Sequence, residues 1–369
     1  MNQLFRWDQM GLFLLALAAG ILPFAVPEVC AAALREGLTL CSGPLLLSLF
    51  PFLVVSRLLI QCPESDLLAL PFRLAAWGIG IRTPCAARVL CIGFLGGFAP
   101  AASAAAQAVR TGQLTAEEAD ALLPACICSG PSFVVLTVGQ SLLGSAELGV
   151  LLFASQITAN YLTAALLNRF AGVRSVKPGS AVPAFPAPPR LDEILADAAI
   201  TYCKLCGFIL FFRMLAAGAG ALLPAGAGTL CSILLEVCSG CDLASRTGRW
   251  GSLLCCAALS VQGLSVLLQV RTICPPEMTL RPLYRSRLLH LPLSLALLYL
   301  LLPGGEADVF STLPARVLLM RRVPPDCALL VFAVCCMAAC TLRSGIRQVE
   351  QKQMARNAGG CCINSKTLL

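Results

Sequence analysis

Charge is scarce in this 369-residue chain. Only 12% of its residues are Asp, Glu, Lys or Arg, against about 25% in ordinary globular proteins. That shortage excludes a soluble surface, a disordered chain and a nucleic-acid-binding domain. Histidine is nearly missing as well. The single one, His290, falls in RLLHLPLSL at the expected edge of an apolar segment with no catalytic partner near it, and reads as structural. Neither a His-Glu-x-x-His nor a Gly-x-Ser-x-Gly pattern occurs, which leaves an enzyme the least favoured class.

Apolar residues fill the space that charge vacates. They make up 58% of the chain, and the mean hydropathy is +0.82. Charge-free windows run over 9–27, 37–56, 89–109, 121–146, 148–168, 214–235, 250–270 and 288–305. Each approaches the roughly 20 residues that cross about 30 Å of hydrocarbon. Weaker windows lie at 196–213, interrupted by Lys204, and at 327–342. The reading is an all-α polytopic membrane protein whose first partner is the lipid bilayer. The first window ends in Pro27-Glu28 and runs straight into another apolar segment, so it reads as a retained helix rather than a cleaved signal.

Cysteine is abundant, with 21 copies that include Cys203-x-x-Cys206, Cys238-x-x-Cys241 and adjacent pairs at 255/256, 335/336 and 361/362. Most lie in apolar windows, where a free thiol packs as a small hydrophobe, and no metal site is expected. Cys361-Cys362 has seven residues after it and is not a prenylation box.

The net charge of +8 is a topology signal. Arg57, Arg73, Arg82 and Arg88 mark one loop, Arg169, Arg174, Lys177 and Arg190 a second, and Arg271, Arg281, Arg285 and Arg287 a third. All three are expected on the cytoplasmic side. Three apolar stretches separate each loop from the next, the later set being 196–224, 228–243 and 250–270, and an odd number of crossings cannot return to the same side. One re-entrant element in each half resolves the parity. Both termini then lie inside, at the cost of placing Arg316, Arg321 and Arg322 outside. KPGSAVPAFPAPPR, with five prolines, reads as an extended linker. The division is 1–36 for an N-terminal transmembrane helix, 37–170 for a first half, 171–190 for the linker and 191–303 for a second half. A C-terminal transmembrane region at 304–342 and a cytoplasmic tail at 343–369 follow.

Several windows contain helix breakers. VLCIGFLGGFAPAASAAAQAV carries Gly96-Gly97 and Pro100 ahead of small residues that include Ser103. A helix–helix contact through small residues is one reading, and an unwound segment lining a polar cavity is the other. Thr115 to Glu118 has the capping-box pattern of a helix start, and the next window is interrupted by Ser129-Gly130-Pro131-Ser132. In the second half Glu236 closes a 22-residue apolar window just before Ser239-Gly240. An ionisable residue in such a place is a functional hypothesis, and a membrane-edge glutamate is the alternative. Gln262, Ser265 and Gln269 have a 3, 4 spacing that predicts one helical face. Lys204 and Arg213 are half a turn out of phase and cannot both line one site. Lys204 is the preferred one.

Together GLTLCSGPLLLSLFPFLVVSRLL, the stretch from GFLGGFAPAASAAAQAV to SGPSFVVLTVGQ and on through SQITANYLTAALLNRF, EVCSGC and SVQGLSVLLQV resemble the YlbJ-type sporulation integral membrane proteins, which carry the nucleoside-recognition or Gate domain. The resemblance covers roughly 37–303. It departs at Gly97-Phe98-Ala99-Pro100-Ala101, where the family usually has Gly-Tyr-Pro-Val-Gly, and at Ile127-Cys128, where paired asparagines are usual. It implies two similar halves with a nucleoside-transporter-like architecture, placed in the cell membrane or the outer forespore membrane of an endospore-forming bacterium. The implied activity is dipicolinate transport during spore maturation.

The leading expectation is a permease for a small anionic aromatic metabolite. Its substrate site is expected from Gly97, Pro100, Ser103, Ser129, Gly130, Ser132, Ser239, Gly240, Gln262, Ser265 and Gln269. Glu236 and Lys204 are the coupling or proton residues, and no cofactor is expected beyond sodium or proton coupling. A nucleoside or nucleobase transporter is the second expectation, and a non-transporting spore-envelope assembly protein the third. Homo-oligomerisation is left open.

Overall fold

Residues 2–62, 65–172 and 190–302 are described by a computed structural model. The linker at 173–189, both C-terminal segments from 303, Arg316, Arg321, Arg322 and Cys361-Cys362 lie outside the described residues. Every regular element among those described is helical. The first half contains α1 (Asn2–Ala25), α2 (Pro27–Ser42), α3 (Pro44–Gln61), α4 (Ser65–Leu68), α5 (Leu70–Gly78), α6 (Pro84–Gly96), α7 (Phe98–Arg110), α8 (Ala116–Cys126), a π-helical segment (Ser132–Leu142) and α9 (Ala146–Ala171). After the linker come α10 (Leu191–Leu222), α11 (Ala225–Leu235), α12 (Val237–Ser245), α13 (Gly251–Val261), α14 (Gly263–Ile273) and α15 (Arg281–Leu301).

Among the described residues four segments are long and apolar enough to cross a bilayer: Pro27–Leu47, Ala146–Ala171, Leu191–Leu222 and Gly248–Ile273. The outward side chains are apolar too, among them Leu47, Leu162, Leu166, Leu230, Leu288 and Leu300. So wide an apolar exterior suits lipid rather than water. The described residues are those of an all-helical membrane protein.

Local chemistry sets many of the boundaries. Thr115 and Glu118 form the reciprocal capping box at the start of α8, as their spacing predicts. Ser145 caps α9 by accepting from the Leu148 N–H at 3.1 Å, and left-handed Gly172 ends that helix. Proline occupies the first turn of α2, α3, α5, α6 and α15, where its missing N–H has no intrahelical acceptor to lose.

Several expected windows are subdivided. Window 89–109 is cut at Gly97 into α6 and α7, and window 121–146 is cut at 127–131 into α8 and the π-helical segment. The stretch 228–243 becomes α11 and α12, parted at Glu236, and 250–270 becomes α13 and α14, parted at Gln262. By contrast 196–213 continues into 214–222 as one 32-residue helix. At about 1.5 Å per residue it spans roughly 48 Å, longer than the hydrocarbon layer. Its acidic first turn, with Asp192 and Glu193, is thereby carried beyond the apolar zone.

The expected loops also hold structure. Arg57 ends up on α3, Arg88 on α6 and Arg287 on α15. Arg88 is buried, donating to the Ile60 carbonyl at 2.8 Å and the Gln113 amide oxygen at 2.9 Å. Its Nε lies 3.2 Å from Asp66. Spacing alone does not separate a snorkelling cation from one aimed inward.

At the centre lies α7, where Ala99, Ala101, Ala102, Ala104, Ala105, Ala106 and Ala108 are all fully buried. Methyl-sized side chains let α3, α6, α8 and α14 approach it. The long helix α9 packs against α15, and α10 packs against α2. Two ion pairs fasten α10: Arg57 to Asp197 at 2.7 Å and Arg213 to Glu36 at 2.7 Å.

A third fastening uses Asp120. Its carboxylate accepts from the Thr279 N–H (2.8 Å), the Thr279 hydroxyl (2.6 Å) and the Leu280 N–H (3.1 Å). That clasp holds the loop before α15, including Leu280 at φ 57°, against α8. Asp120→Ala is expected to lower stability by roughly 3 kcal/mol, since it removes three bonds to a charged acceptor. Asp120→Asn is expected to lose less. Thermal unfolding of the detergent-solubilised protein compares the two.

Candidate functional site

Four interruptions meet in two pairs. Gly97 joins α6 to α7 at φ 81°, and a Cβ placed there would lie 2.6 Å from the Gly130 nitrogen. Gly130 in turn faces Gly96, so the 96–97 and 127–131 breaks touch backbone to backbone. The second pair repeats this. A Cβ on Gly263 would lie 3.0 Å from the Glu236 nitrogen and 3.0 Å from the Leu235 carbonyl carbon. Gln262 and Gly263 are both left-handed, at φ 67° and 69°. For Gln262 this conformation costs about 1 kcal/mol or more, the kind of strain that functional segments retain.

Glu236 is the N-cap of α12 and is almost fully buried. Its carboxylate accepts from the Cys238 N–H at 2.8 Å and the Ser239 N–H at 2.6 Å. The positive end of this half-helix is therefore occupied by the chain's own anion. Ser239 gives its N–H to Glu236, and Gly240 lies under Ile233 of α11, whose Cα is 2.8 Å from where a Cβ would stand. That close approach is a helix-packing role for Gly240.

The other expected residues are spread around the breaks. Pro100 and Ser103 are buried on α7 and Ser129 is buried in the 127–131 break, whereas Ser132 is exposed at the start of the π-helical segment. Gln262 does not share a helix with the other two polar residues of its window, because it caps the break. Its amide nitrogen donates to the Leu259 carbonyl at 3.0 Å. Gln269 donates to Ser265 at 2.9 Å, one turn apart on α14. The amide oxygens of Gln262 and Gln269 are both buried without a partner, which marks them as acceptors awaiting a donor. Lys204 is exposed on α10 while Arg213 lies against α2. The two do face opposite ways, but Arg213 is the one turned inward.

Sequence reasoning missed a buried polar seam where α15 meets α9 and α13. Arg287 of α15 is 7% exposed. Its Nη1 donates to the carbonyls of Ile127 (3.4 Å) and Ser260 (3.5 Å), its Nη2 to the Asn160 side-chain oxygen (3.1 Å) and its Nε to Ser286 (3.2 Å). Asn160 also donates to the Ile127 carbonyl at 3.2 Å. One turn along, His290 Nε2 donates to the Gln156 carbonyl at 3.1 Å. The Gln156 amide donates to the Ser260 hydroxyl at 3.0 Å, and Ser260 meets Ser294 at 2.5 Å. His290 is thus in the interior of the bundle, not at its edge. The signal was present in the spacing: Arg287, His290 and Ser294 share one face of α15, and Gln156 and Asn160 share one face of α9.

Comparison with protein-family models, curated proteins and solved structures gave no match to this chain.

Gly97→Ala is expected to destabilise the fold by more than about 2 kcal/mol, because the new methyl meets backbone in a conformation that disfavours any Cβ. Gly207→Ala, with nothing within 4 Å of its added methyl, is expected to be neutral or stabilising by up to about 1 kcal/mol. Thermal melts of the two variants beside the wild type give the comparison.

Proposed function

We propose that this chain is a multi-pass membrane permease for small organic anions, with the aromatic dicarboxylate dipicolinate as its first candidate. The observation that carries the reading is the pairing of helix breaks, Gly97 against Gly130 and Gly263 against Glu236. Backbone can unwind at membrane depth only where protein or water satisfies it, and discontinuous helices that meet near the midplane are the usual frame of a transporter site. The order of elements supports two similar halves, each with a returning element. Broken helix, broken helix and continuous helix occur as α6/α7, α8/π-helical segment and α9, and again as α11/α12, α13/α14 and α15. The dipicolinate assignment and the outer forespore membrane as its location rest on the resemblance to YlbJ-type proteins.

A carboxylate solute has a natural seat at the α12 N-terminus, which Glu236 holds in the closed arrangement. Protonation of Glu236 neutralises that competitor and weakens its grip on the Cys238 and Ser239 N–H groups. Glu236 is in this way the proton-coupling residue. Nucleoside transport is a second reading, favoured by the unpartnered Gln262 and Gln269 amide oxygens, which suit the N–H edge of a neutral heterocycle.

Proteoliposomes containing the purified protein decide between them. Saturable dipicolinate entry, little affected by uridine, is expected. Uridine entry without dipicolinate entry assigns the nucleoside reading. Entry of neither solute under any sodium or proton gradient removes both and leaves the envelope-assembly role. Glu236→Gln is expected to keep residual dipicolinate uptake while losing its stimulation by an inward proton gradient.

A further inference from the structure

Arg287 is buried in a setting that an ion pair does not account for. Its acceptors are two backbone carbonyls, an amide oxygen and a hydroxyl, all neutral. No ion pair among the described residues includes it. A buried cation normally has a carboxylate beside it. Here helix ends take that place. Ile127 is the C-cap of α8 and Ser260 lies in the last turn of α13, so both carbonyls belong to the set a helix leaves unsatisfied at its C-terminus. Each end carries about −0.5 of an elementary charge. Two of them sum to about −1, which one guanidinium matches.

The same two ends belong to helix breaks, one from each half of the chain. In transporters built from discontinuous helices, C-terminal half-helix ends and unwound carbonyls are where a coupling cation is coordinated, and neutral oxygens are the ligands hard cations take. We propose that Arg287 is a tethered cation standing where a coupling ion would bind, and that transport through this chain is therefore independent of sodium. Arginine suits the role because it stays protonated at any accessible pH. Its charge is supplied by α15 itself, and a sodium ion entering the same carbonyls meets a fixed positive charge. Coupling is left to the proton at Glu236. Arg287 is a positioning residue here: it holds the ends of α8 and α13 and is not assigned contact with the solute.

The transport arm rests on the permease reading, so the test also uses a readout that needs no transport. Thermal unfolding of the full-length protein is followed in choline chloride, sodium chloride and millimolar guanidinium. The wild-type midpoint is expected to be the same in sodium and choline. Arg287→Ala leaves two helix ends without a cation, and its midpoint is expected to rise by roughly 5 °C in sodium or guanidinium, the size expected for a ligand at about 100 times its Kd. A merely structural arginine predicts a uniformly lowered midpoint that no cation restores, and that result overturns the proposal. Arg287→Lys keeps the charge and is expected to be indifferent to sodium, like the wild type. Where Arg287→Ala cannot be purified, the wild type and Arg287→Lys still decide: sodium-dependent midpoints or sodium-driven dipicolinate uptake overturn the proposal, and indifference in both supports it. Failure of dipicolinate entry under every gradient removes the permease reading alone, and the melting comparison stands.

Discussion

An interrupted helix inside an apolar bundle exposes backbone groups that nothing in a lipid environment can satisfy, and that constraint governs this molecule. Each unmade bond costs on the order of several kcal/mol in hydrocarbon, so four breaks are untenable unless the protein answers them. It answers three of them by polarity. The N-terminal end of α12 receives the Glu236 carboxylate, and the C-terminal ends of α8 and α13 receive the Arg287 guanidinium. Each charge meets the helix end of opposite sign.

Packing closes what charge has satisfied. Gly97 leaves no room for a Cβ against Gly130, and Gly263 is left-handed and tight against Leu235 and Glu236, so the breaks are sealed by direct backbone contact. The alanines of α7 extend the seal, since all seven of them from 99 to 108 are buried to zero exposure. The elements that carry these contacts differ in their anchoring. Asp120 ties α8 to the loop before α15, and the α9–α15 seam is knit by Gln156, Asn160 and His290. On the other side α10 is held by two partly exposed ion pairs, which contribute little each.

Helical class, apolar windows and breaker positions were legible in the sequence because each has a local cause. Gly96-Gly97, Ser129-Gly130-Pro131 and the capping box at Thr115 act through dihedral freedom or side chains a few residues away, and the structure interrupts or starts helices at those places. The Gln262 break was not legible. Glutamine has no marked preference for a left-handed conformation, and only its neighbour Gly263 hinted at one. Arg287 was hidden for another reason. A rule that sorts cations by loop takes every arginine at a helix entrance as a headgroup charge, and the burial of this one depends on carbonyls 27 and 160 residues away in sequence. Its partners could be found only after the fold brought them together. The one local clue was the shared face of Arg287, His290 and Ser294.

Among the described residues Glu236 and Arg287 are each buried at a helix break with no ion pair to an opposite charge, which bears on what the breaks are for. A chain selected only for stability would neutralise Glu236 and Arg287 against each other, or replace both with apolar groups, which is often neutral or stabilising. The peripheral pairs show that this protein makes ordinary salt bridges where it needs them, Arg57 with Asp197 and Arg213 with Glu36. Arg213, on α10, gives its hydrogen bond to Glu36 of α2. Glu236 and Arg287 are instead each tied to backbone at a break, where a charge held by helix ends can be exchanged for a ligand charge or weakened by a proton without unmaking a side-chain pair. For the permease proposed above, these two helix ends are where a solute anion or a proton would compete with the chain's own charges.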